Sequence, residues 1–307
     1  MQLKQWIYKG LIAYGMLRTG LFVLKHTKNI INRAIKSFQS LKSIYSDDKR
    51  PSWAIVTGGT NGIGLQFVHQ LAEQGFNIVL IARKRDVLEK IAQEVGQKYK
   101  VETKIIEADL SQGDQPTLWD RIYKEIKDLD IAILVNNVGK YDWSPFDQQK
   151  EENIQQLVNM NIYAPTFMTR FVLPIMLFRQ KRSAVINIGS FAGESLIPKT
   201  AVNCGTKRYV HYFTKCLASE YFDKKIDFLA VVPGFTETRG LDNFKFGKPM
   251  LTVNPKDLVK GALRDVKIAN QIGNMTTGTF KHALFLRLMN NPLTRGYCIK
   301  RLEALNN

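Results

Sequence analysis

The regular alternation of short apolar runs with amphipathic segments, from residue 53 onwards, constrains the fold of this chain more than any other feature. Continuous apolar runs such as Asn77–Ile81 and Ile131–Val135 alternate with helical segments such as Asp86–Tyr99. Such alternation is typical of a parallel sheet covered by helices on both faces. The other predicted strands are Trp53–Thr57, Thr103–Glu107, Ala184–Ile188 and Ile226–Val232, and the other predicted helices are Ile63–Gln74, Pro116–Leu129, Asn153–Phe178 and Lys207–Phe222. The predicted fold class is therefore α/β, with a Rossmann-type doubly wound parallel sheet.

A glycine-rich turn connects the first predicted strand to the first predicted helix. It reads Thr57-Gly58-Gly59-Thr60-Asn61-Gly62-Ile63-Gly64. Glycines at this place let the backbone approach a pyrophosphate at the helix N-terminus, and the strand before and the helix after are the context that the interpretation needs. The sequence thus predicts a dinucleotide site, with cofactor contacts from Gly58, Thr60, Asn61, Gly62, Ile63 and Gly64.

Three cations, Arg83-Lys84-Arg85, follow the second predicted strand, and no acid occurs until Asp86. An acid at this place binds the ribose 2′-hydroxyl of NAD, whereas an arginine can hold the 2′-phosphate of NADP. The sequence predicts NADP(H), with Arg83 as a contact. An exposed cluster at a helix start, without a ligand, is the alternative.

The excess positive charge lies in the two flanks of the chain. The formal net charge is +17, of which residues 1–50 carry +8 and residues 281–307 carry +4. Long apolar side chains accompany these cations, which favours an anionic membrane surface over nucleic acid; a solvated basic face is the alternative. The predicted organisation is a membrane anchor or interfacial helix over 1–25, a basic connector over 26–50, the dinucleotide-binding domain over 51–275 and an amphipathic tail over 276–307. In the tail, Phe280–Met289 is amphipathic enough for membrane or partner contact, and core packing is the alternative.

The sequence leaves open how the N-terminal segment associates with the membrane. Residues 6–24 are apolar, but Lys9 and Arg18 interrupt them, so the longest uncharged stretch is Gly10–Leu17. A spanning helix needs roughly 20 apolar residues, and an arginine at its centre costs about 2.5–3.5 kcal/mol. No small-residue cleavage site follows. We expect an uncleaved anchor or an interfacial helix, with a soluble helix packed on the domain as the alternative.

The cysteines and histidines give no pattern of metal ligands. The three cysteines (Cys204, Cys216 and Cys298) form no Cys-x-x-Cys pair, and the four histidines are scattered. An odd number of widely spaced cysteines indicates reduced thiols in a cytosol-facing domain. We predict no metal site, and we interpret His211 as a packing or helix-surface residue.

Several motifs, in order and well spaced, identify a resemblance to the short-chain dehydrogenase/reductase family over nearly the whole folded length. The motifs are Thr57–Gly64, Asp109 in Ala-Asp-Leu, Asn136-Asn137-Val138-Gly139, Asn161, Ser190 in Asn-Ile-Gly-Ser, Lys207, and Pro233-Gly234 with Thr238. The resemblance implies that Asp109 contacts adenine, that Asn161 positions a proton-relay water and that Ser190 is the catalytic serine. It further implies that Lys207 holds the ribose and that Pro233 and Thr238 contact the nicotinamide carboxamide.

Within the family the chain looks most like the membrane-bound 17-beta-hydroxysteroid dehydrogenase and very-long-chain 3-oxoacyl-CoA reductase branch. This likeness implies an endoplasmic reticulum membrane location with the domain facing the cytosol, a small lipid as substrate or ligand, and a possible homodimer. A substrate lid is expected over Glu237–Val253. Its end is marked by Asn254 and Pro255, an N-cap followed by proline at the first helical position.

Asn203 departs from the family pattern at the position that matters most for chemistry. The resemblance places a tyrosine four residues before Lys207, and that tyrosine transfers the proton of the reaction. An asparagine amide has no proton to exchange near neutral pH. Tyr209 and Tyr212 lie too far along the helix to replace it. The expectation is an NADP(H)-binding protein with impaired or absent activity; the alternative is an oxidoreductase for a lipid carbonyl that uses a water relay through Asn161 and Lys207.

Overall fold

The computed structural model describes residues 6, 14–16, 35, 39–46, 50–238 and 251–304, with only the backbone for 301–304. The chain divides into two compact units, Met1–Gln39 and Ser40–Asn307. Most of the predicted membrane segment and most of the predicted lid lie outside the described residues. Within the described part of the chain, no helix combines the length and apolarity needed to cross a membrane.

Seven parallel strands form a single sheet in the order β3-β2-β1-β4-β5-β6-β7. In chain order the strands are β1 (Trp53–Thr57), β2 (Asn77–Ala82), β3 (Thr103–Glu107), β4 (Ile131–Asn136), β5 (Ser183–Ile188), β6 (Ile226–Val231) and β7 (Met275–Thr276). The strand order reverses at β1, which pairs with β2 on one side and with β4 on the other. This is the doubly wound Rossmann-type arrangement, and the prediction of the fold class is confirmed.

Helices cover both faces of the sheet. In chain order they are α1 (Leu41–Tyr45), α2 (Gly62–Glu73), α3 (Arg85–Tyr99), α4 (Pro116–Ile126), α5 (Glu151–Val158), α6 (Ala164–Leu177), α7 (Ala201–Glu220), α8 (Pro255–Val266), α9 (Phe280–Asn290) and α10 (Pro292–Ala304). Successive β1 side chains enter different cores, since Ala54 and Val56 pack with α2, α3 and α8, whereas Ile55 packs with α4 and α6. Burying a side chain such as Ile55 completely contributes about 1.5–3 kcal/mol.

Helix α7 begins at Ala201, before the predicted start at Lys207. The segment between them contains Asn203, Cys204, Gly205 and Thr206, which have weak helix propensity and little apolar periodicity. Tertiary packing supplies what the local sequence lacks, because Asn203 and Thr206 are buried against the rest of the domain. The earlier start places Asn203 and Lys207 on one regular helix.

The single long helix predicted over Asn153–Phe178 is interrupted. Helices α5 and α6 are joined by a π-helical turn over Asn159–Tyr163. The side chains of Asn159 and Asn161 are both buried in this turn and donate hydrogen bonds to other segments, to Ser111 O at 2.8 Å and to Lys140 O at 2.9 Å. Single-turn π insertions often occur at functional sites.

Strand β7 and the segments after it were not predicted as part of the sheet domain. Two residues are too few to form a recognisable apolar run, yet the edge is fixed by backbone bonds from Ala230 N to Asn274 O (2.9 Å) and from Val232 N to Thr276 O (2.7 Å). In α9, His282, Phe285 and Met289 are buried. The residues predicted as an amphipathic tail therefore include a packed helix.

Helix α1 lies within the range predicted as a basic connector and packs on the sheet domain. Ser40 caps it by accepting a hydrogen bond from Ser43 N. Tyr45 is fully buried, and its hydroxyl donates to Asp227 Oδ2 at 2.9 Å, at the start of β6. The folded unit thus begins at Ser40 rather than at the predicted residue 51.

Candidate active site

The residues singled out in the sequence meet at the carboxyl ends of the central strands. A cavity of about 660 Å³ opens there, between the loops that follow β1, β2, β4, β5 and β6. Ligands of open α/β sheets bind at this place, where the strand order reverses. Of the predicted site residues, the cavity is lined by Gly58, Thr60, Asn61, Gly62, Ile63, Arg83, Asp109, Asn137, Ser190, Asn203, Lys207, Pro233 and Thr238.

The glycine-rich turn has the geometry of a phosphate-binding loop. Gly58 has φ of +66°, and a Cβ there would lie 3.2 Å from Val138 Cα. A Cβ on Gly64 would overlap Gly58 O, so this glycine lets α2 start directly against the turn. Asn61, at the N-cap of α2, makes no side-chain capping bond. The first N–H groups of α2 are therefore not capped by that side chain, and a helix start of this kind favours an anion.

Asn137 holds the glycine-rich turn against β4. Its side-chain nitrogen donates to Thr57 O (3.0 Å) and to Gly58 O (3.1 Å). In return, Thr57 Oγ1 accepts from the backbone N–H groups of Asn137 (3.0 Å) and Val138 (3.1 Å). The Asn-Asn-x-Gly motif thus shapes the wall of the cavity through four bonds to the turn.

Two of the three cations after β2 face the cavity. Arg83 and Lys84 line it and are exposed. Arg85 instead forms an ion pair with Glu89, one helical turn later, with Nε 2.8 Å from Oε1. Asp109 also lines the cavity and caps the turn Leu110–Gln112 by accepting from Ser111 N at 3.0 Å.

Ser190 lies two residues after the end of β5 and caps a short turn, Phe191–Gly193. Its Oγ accepts a hydrogen bond from Ala192 N at 3.2 Å. Since this bond uses only an acceptor position of the hydroxyl, the hydroxyl proton can still be donated to a ligand oxygen. Pro233 O accepts from Phe191 N at 2.9 Å, which joins this turn to the segment after β6.

Lys207 and Asn161 approach each other beside Gly139. A Cβ on Gly139 would lie 2.9 Å from Asn161 Oδ1 and 3.1 Å from Lys207 Nζ. Asn161 Nδ2 donates to Lys140 O (2.9 Å) and to Thr206 Oγ1 (3.1 Å), and its Oδ1 accepts from Lys140 N (3.0 Å). Lys207 Nζ donates to Ile188 O at 3.2 Å, and burial lowers the pKa of its amino group to about 8.

Asn203 lies one helical turn before Lys207 in the cavity wall. The residue is 8% exposed, and its Oδ1 is buried with no hydrogen-bond partner among the residues that the structure describes. Two phenols of the same helix lie elsewhere: Tyr209 shares a 2.8 Å hydrogen bond with Thr166 Oγ1 of α6, and Tyr212 is 68% exposed. The thiol of Cys204 packs 3.2 Å from Thr200 Oγ1.

Several cavity residues could not be identified from the sequence. Trp143, Met160, Ile197 and Phe235 make part of the wall apolar, and Tyr141 lies beside them. Trp143 and Tyr141 follow the Asn-Asn-x-Gly motif closely, and that spacing is the only local signal for them. The structure does not describe most of the predicted lid, but Thr238 lies over the glycine-rich turn, where a Cβ on Gly62 would meet its Cγ2 at 2.9 Å.

No group of three or more histidines, cysteines or acids within the described ranges is arranged to hold a metal ion. The cavity is lined by a glycine-rich turn, two cations, a hydroxyl, an ammonium and the amide of Asn203, and the amide of Asn161 lies nearby, beside Gly139. Together they suit a dinucleotide and an apolar ligand.

The family model of short chain dehydrogenases matches residues 52–246. The chain belongs to the short-chain dehydrogenase family. Human very-long-chain 3-oxoacyl-CoA reductase is 36% identical over 244 residues, which cover 78% of this chain and 75% of that protein. The rat protein of the same name is 32% identical over 98% of this chain and 92% of its own length. A human protein named inactive hydroxysteroid dehydrogenase-like protein 1 is 34% identical over 76% of this chain and 69% of its length.

Solved structures of the family agree with the fold. A 7beta-hydroxysteroid dehydrogenase has a TM-score of 0.74 at 21% identity, covering 86% of this chain and all (100%) of that chain. A short-chain dehydrogenase from Sphingobium yanoikuyae, solved in complex with NADPH, has a TM-score of 0.65 at 26% identity, covering 73% of this chain and 86% of that chain.

Proposed function

We propose that this chain is an NADP(H)-binding short-chain dehydrogenase-like protein of the endoplasmic reticulum membrane, with its activity impaired or absent. The observation that carries the proposal is Asn203, buried in the cavity wall one helical turn before Lys207. The family resemblance puts the proton-transferring tyrosine at this position. The other site groups, Ser190, Lys207 and Asn161, are present.

The lining of the cavity supports NADP(H) as the cofactor. Gly58 provides the positive φ and the close approach that a pyrophosphate loop needs, and the start of α2 favours an anion. Arg83 and Lys84 provide positive charge for a 2′-phosphate. The sequence places no acid at the end of β2 that would select the free ribose of NAD.

The described site keeps groups that orient a substrate, but an asparagine stands at the position that the family resemblance gives to the proton-transferring tyrosine. A bound nicotinamide would supply the hydride. The Ser190 hydroxyl can donate a hydrogen bond to a carbonyl oxygen, and so can the amide of Asn203. Neither group releases a proton near neutral pH. Loss of a positioned general acid typically lowers the rate by about 10²–10⁴-fold, so binding without efficient turnover is the expected behaviour. The human relative named as inactive supports this proposal.

The decisive experiment measures NADPH binding and turnover in one preparation of the full chain. NADPH binding is followed by fluorescence, and turnover is measured with 3-oxoacyl-CoA and ketosteroid substrates. We expect binding with little or no oxidation of NADPH. Rapid reduction of any of these substrates would contradict the proposal, and absence of NADPH binding would contradict the choice of cofactor.

A second candidate is an active oxidoreductase for a lipid carbonyl. Lys207 favours it, because an amino group with a pKa of about 8 can donate a proton near neutral pH, directly or through a water held near Asn161. The relatives named very-long-chain 3-oxoacyl-CoA reductase also favour it. In this case reduction should require protonated Lys207, so its rate should fall as the pH rises through about 8. A pH-independent rate would exclude this role for Lys207.

The membrane location is proposed from the basic, apolar N-terminal segment and from the relatives. Residues 1–50 carry a net charge of +8, which suits an anionic lipid surface. Fractionation of cells that express the full chain, followed by carbonate extraction, separates an inserted anchor from an interfacial helix. A chain found wholly in the soluble fraction would overturn the location. A homodimer is proposed from the family resemblance and can be tested by the mass of the full chain in detergent.

A further inference from the structure

A buried imidazole lies behind the Ser190 turn, outside the set of residues assigned to the site. His211 belongs to α7, one helical turn after Lys207, and only 1% of its surface is exposed. The sequence suggested a packing or surface role for it. Its two ring nitrogens, however, both have polar partners, and one of these is the backbone of Ser190.

The hydrogen bonds of His211 define its tautomer. Ser190 N donates to His211 Nε2 at 3.3 Å, and His211 Nδ1 lies 2.8 Å from Glu194 Oε1. A backbone N–H can only donate, so Nε2 must be the acceptor. A neutral imidazole has one donor and one acceptor, so Nδ1 carries the proton and donates it to the Glu194 carboxylate.

The loop around Ser190 fits closely against the imidazole ring. A Cβ on Gly189 would overlap His211 Nε2, and a Cβ on Gly193 would lie 2.7 Å from His211 Cε1. Glycines on both sides of the Ser190 turn thus allow the backbone to contact the ring. The turn and the imidazole form one packed unit, and side chains at either position would force them apart.

The charges around the pair keep it as a carboxylate and a neutral imidazole. Burial lowers the pKa of His211, and it outweighs the opposing effect of Glu194. Burial alone would raise the pKa of Glu194, but hydrogen bonds from His211 and Arg208, together with the charge of Arg208, hold it below its usual value. Arg208 Nη1 lies 2.8 Å from Glu194 Oε1.

We propose that His211 is a positioning residue: Glu194 holds it in the Nδ1-protonated tautomer, and its Nε2 fixes the backbone of Ser190 and hence the turn Phe191–Gly193. That turn borders the cavity where the reacting end of a cofactor and an apolar ligand would meet. Loss of the Nε2 acceptor leaves the part-buried N–H of Ser190 without this bond, which loosens the turn. Of the tests below, only the one that uses NADPH as a probe rests on the proposed function.

The first test measures the tautomer and the Ser190 amide directly in the full chain. With ¹⁵N-labelled histidine, NMR of the wild type should show Nδ1 protonated and Nε2 unprotonated. In His211→Phe, which keeps a planar ring but has no acceptor, hydrogen exchange at the Ser190 amide should accelerate about tenfold or more. The matched control is Tyr209→Phe, which removes a 2.8 Å hydrogen bond from the same helix, to Thr166, and should leave exchange at Ser190 unchanged.

The second test separates the two ends of the cofactor site. His211→Phe should weaken NADPH binding by about fivefold to tenfold, but leave the affinity for 2′,5′-ADP, which lacks the nicotinamide, unchanged. Equal weakening of both ligands would indicate a general loss of structure and would overturn a local positioning role. If the wild type binds neither ligand, the proposed cofactor fails, while the NMR test of His211 still stands.

A second variant covers the case in which His211→Phe does not fold. In Glu194→Gln the side chain keeps its size, but an amide can donate as well as accept, so the imidazole is no longer confined to one tautomer. We expect a mixture of tautomers and an intermediate acceleration of exchange at Ser190. A wild-type imidazole protonated at Nε2 would overturn the proposal, as would unchanged Ser190 exchange in both variants.

Discussion

Asn203 shows how one side chain can separate binding from chemistry. Its amide lies in the wall of a cavity that also contains the Ser190 hydroxyl and Lys207. Its Oδ1 has no hydrogen-bond partner within the described part of the chain, and a buried polar atom left unpaired typically costs about 1–3 kcal/mol. The described residues therefore show no hydrogen bond to this oxygen through which the asparagine would stabilise the fold.

Restoring a phenol at position 203 should restore proton transfer. In Asn203→Tyr we expect the rate of carbonyl reduction to rise by about 10²–10⁴-fold, because a tyrosine beside Lys207 can donate a proton. The assay is NADPH oxidation with 3-oxoacyl-CoA and ketosteroid substrates. Asn203→Phe is the matched control, with the same ring and no hydroxyl. Equal rates in the two variants would show that the ring, not the proton, matters.

Lys207 should make stability depend on pH in a defined direction. Burial lowers its pKa from 10.5 to about 8 in the folded state, so between these values the unfolded chain binds more protons. The free energy of unfolding should therefore rise with pH across this window. In Lys207→Met that contribution should disappear, and the variant should be more stable near neutral pH by roughly 1–3 kcal/mol. Urea unfolding of the wild type and of the variant at pH about 7 and about 10 measures how the free energy of unfolding of each changes with pH. The same change in both proteins would contradict this role of Lys207.

At the scale of elements, the junction between β2 and α3 should set the choice of nucleotide. Arg83 and Lys84 face the cavity, whereas Arg85 is held by Glu89 on the surface of α3. The three adjacent cations are therefore not equivalent, although the sequence presents them as one cluster.

Removing Arg83 should weaken NADPH binding selectively. In Arg83→Ala we expect the dissociation constant for NADPH to rise about tenfold to a hundredfold, as for a lost charge-assisted hydrogen bond, while that for NADH changes little. Titration with both nucleotides measures the ratio. Arg85→Ala is the control and should leave the ratio unchanged. If both variants behave alike, the selectivity comes from net charge alone.

At the scale of the whole domain, the two ends of the sheet have separate roles. The cavity lies at the carboxyl ends of the strands, and a polar network lies at their amino ends. In that network Arg179 donates to Tyr45 O (2.8 Å) and to Ser52 Oγ (3.1 Å), and its Nε bonds to Asp130 at 2.6 Å. Asp227 accepts from Tyr45 and Arg182. This network attaches α1 to the sheet.

Loosening α1 should therefore lower stability without changing the cofactor site. Tyr45→Phe removes the bond from the fully buried hydroxyl to Asp227, and we expect a loss of about 1–2 kcal/mol in the free energy of unfolding. NADPH affinity, measured on the same samples, should not change. Tyr297→Phe, at a side chain that is 67% exposed, is the control for both measurements. A parallel fall in NADPH affinity would show that the two ends are coupled.

The sequence by itself determined the parts of this protein that depend on local order. Strand runs buried on both faces are continuously apolar, so Asn77–Ile81 and Ile131–Val135 predicted their strands correctly, within one residue of the observed ends. The glycine spacing over Thr57–Gly64 predicted the turn because the positive φ of Gly58 and Gly62 and the close approach of Gly64 to Gly58 O are local requirements. The identity of residue 203 likewise needed no structure to be noticed.

The tertiary structure alone decided the features that depend on contacts between distant segments. The early start of α7 follows from burial of Asn203 and Thr206, and the attachment of α1 follows from the bond between Tyr45 and Asp227. The role of His211 comes from Ser190 and Glu194, which precede it by 21 and 17 residues. Local periodicity reports which face of a segment is apolar, but not which distant groups pack against it. The folded chain alone therefore shows which side chains surround Asn203.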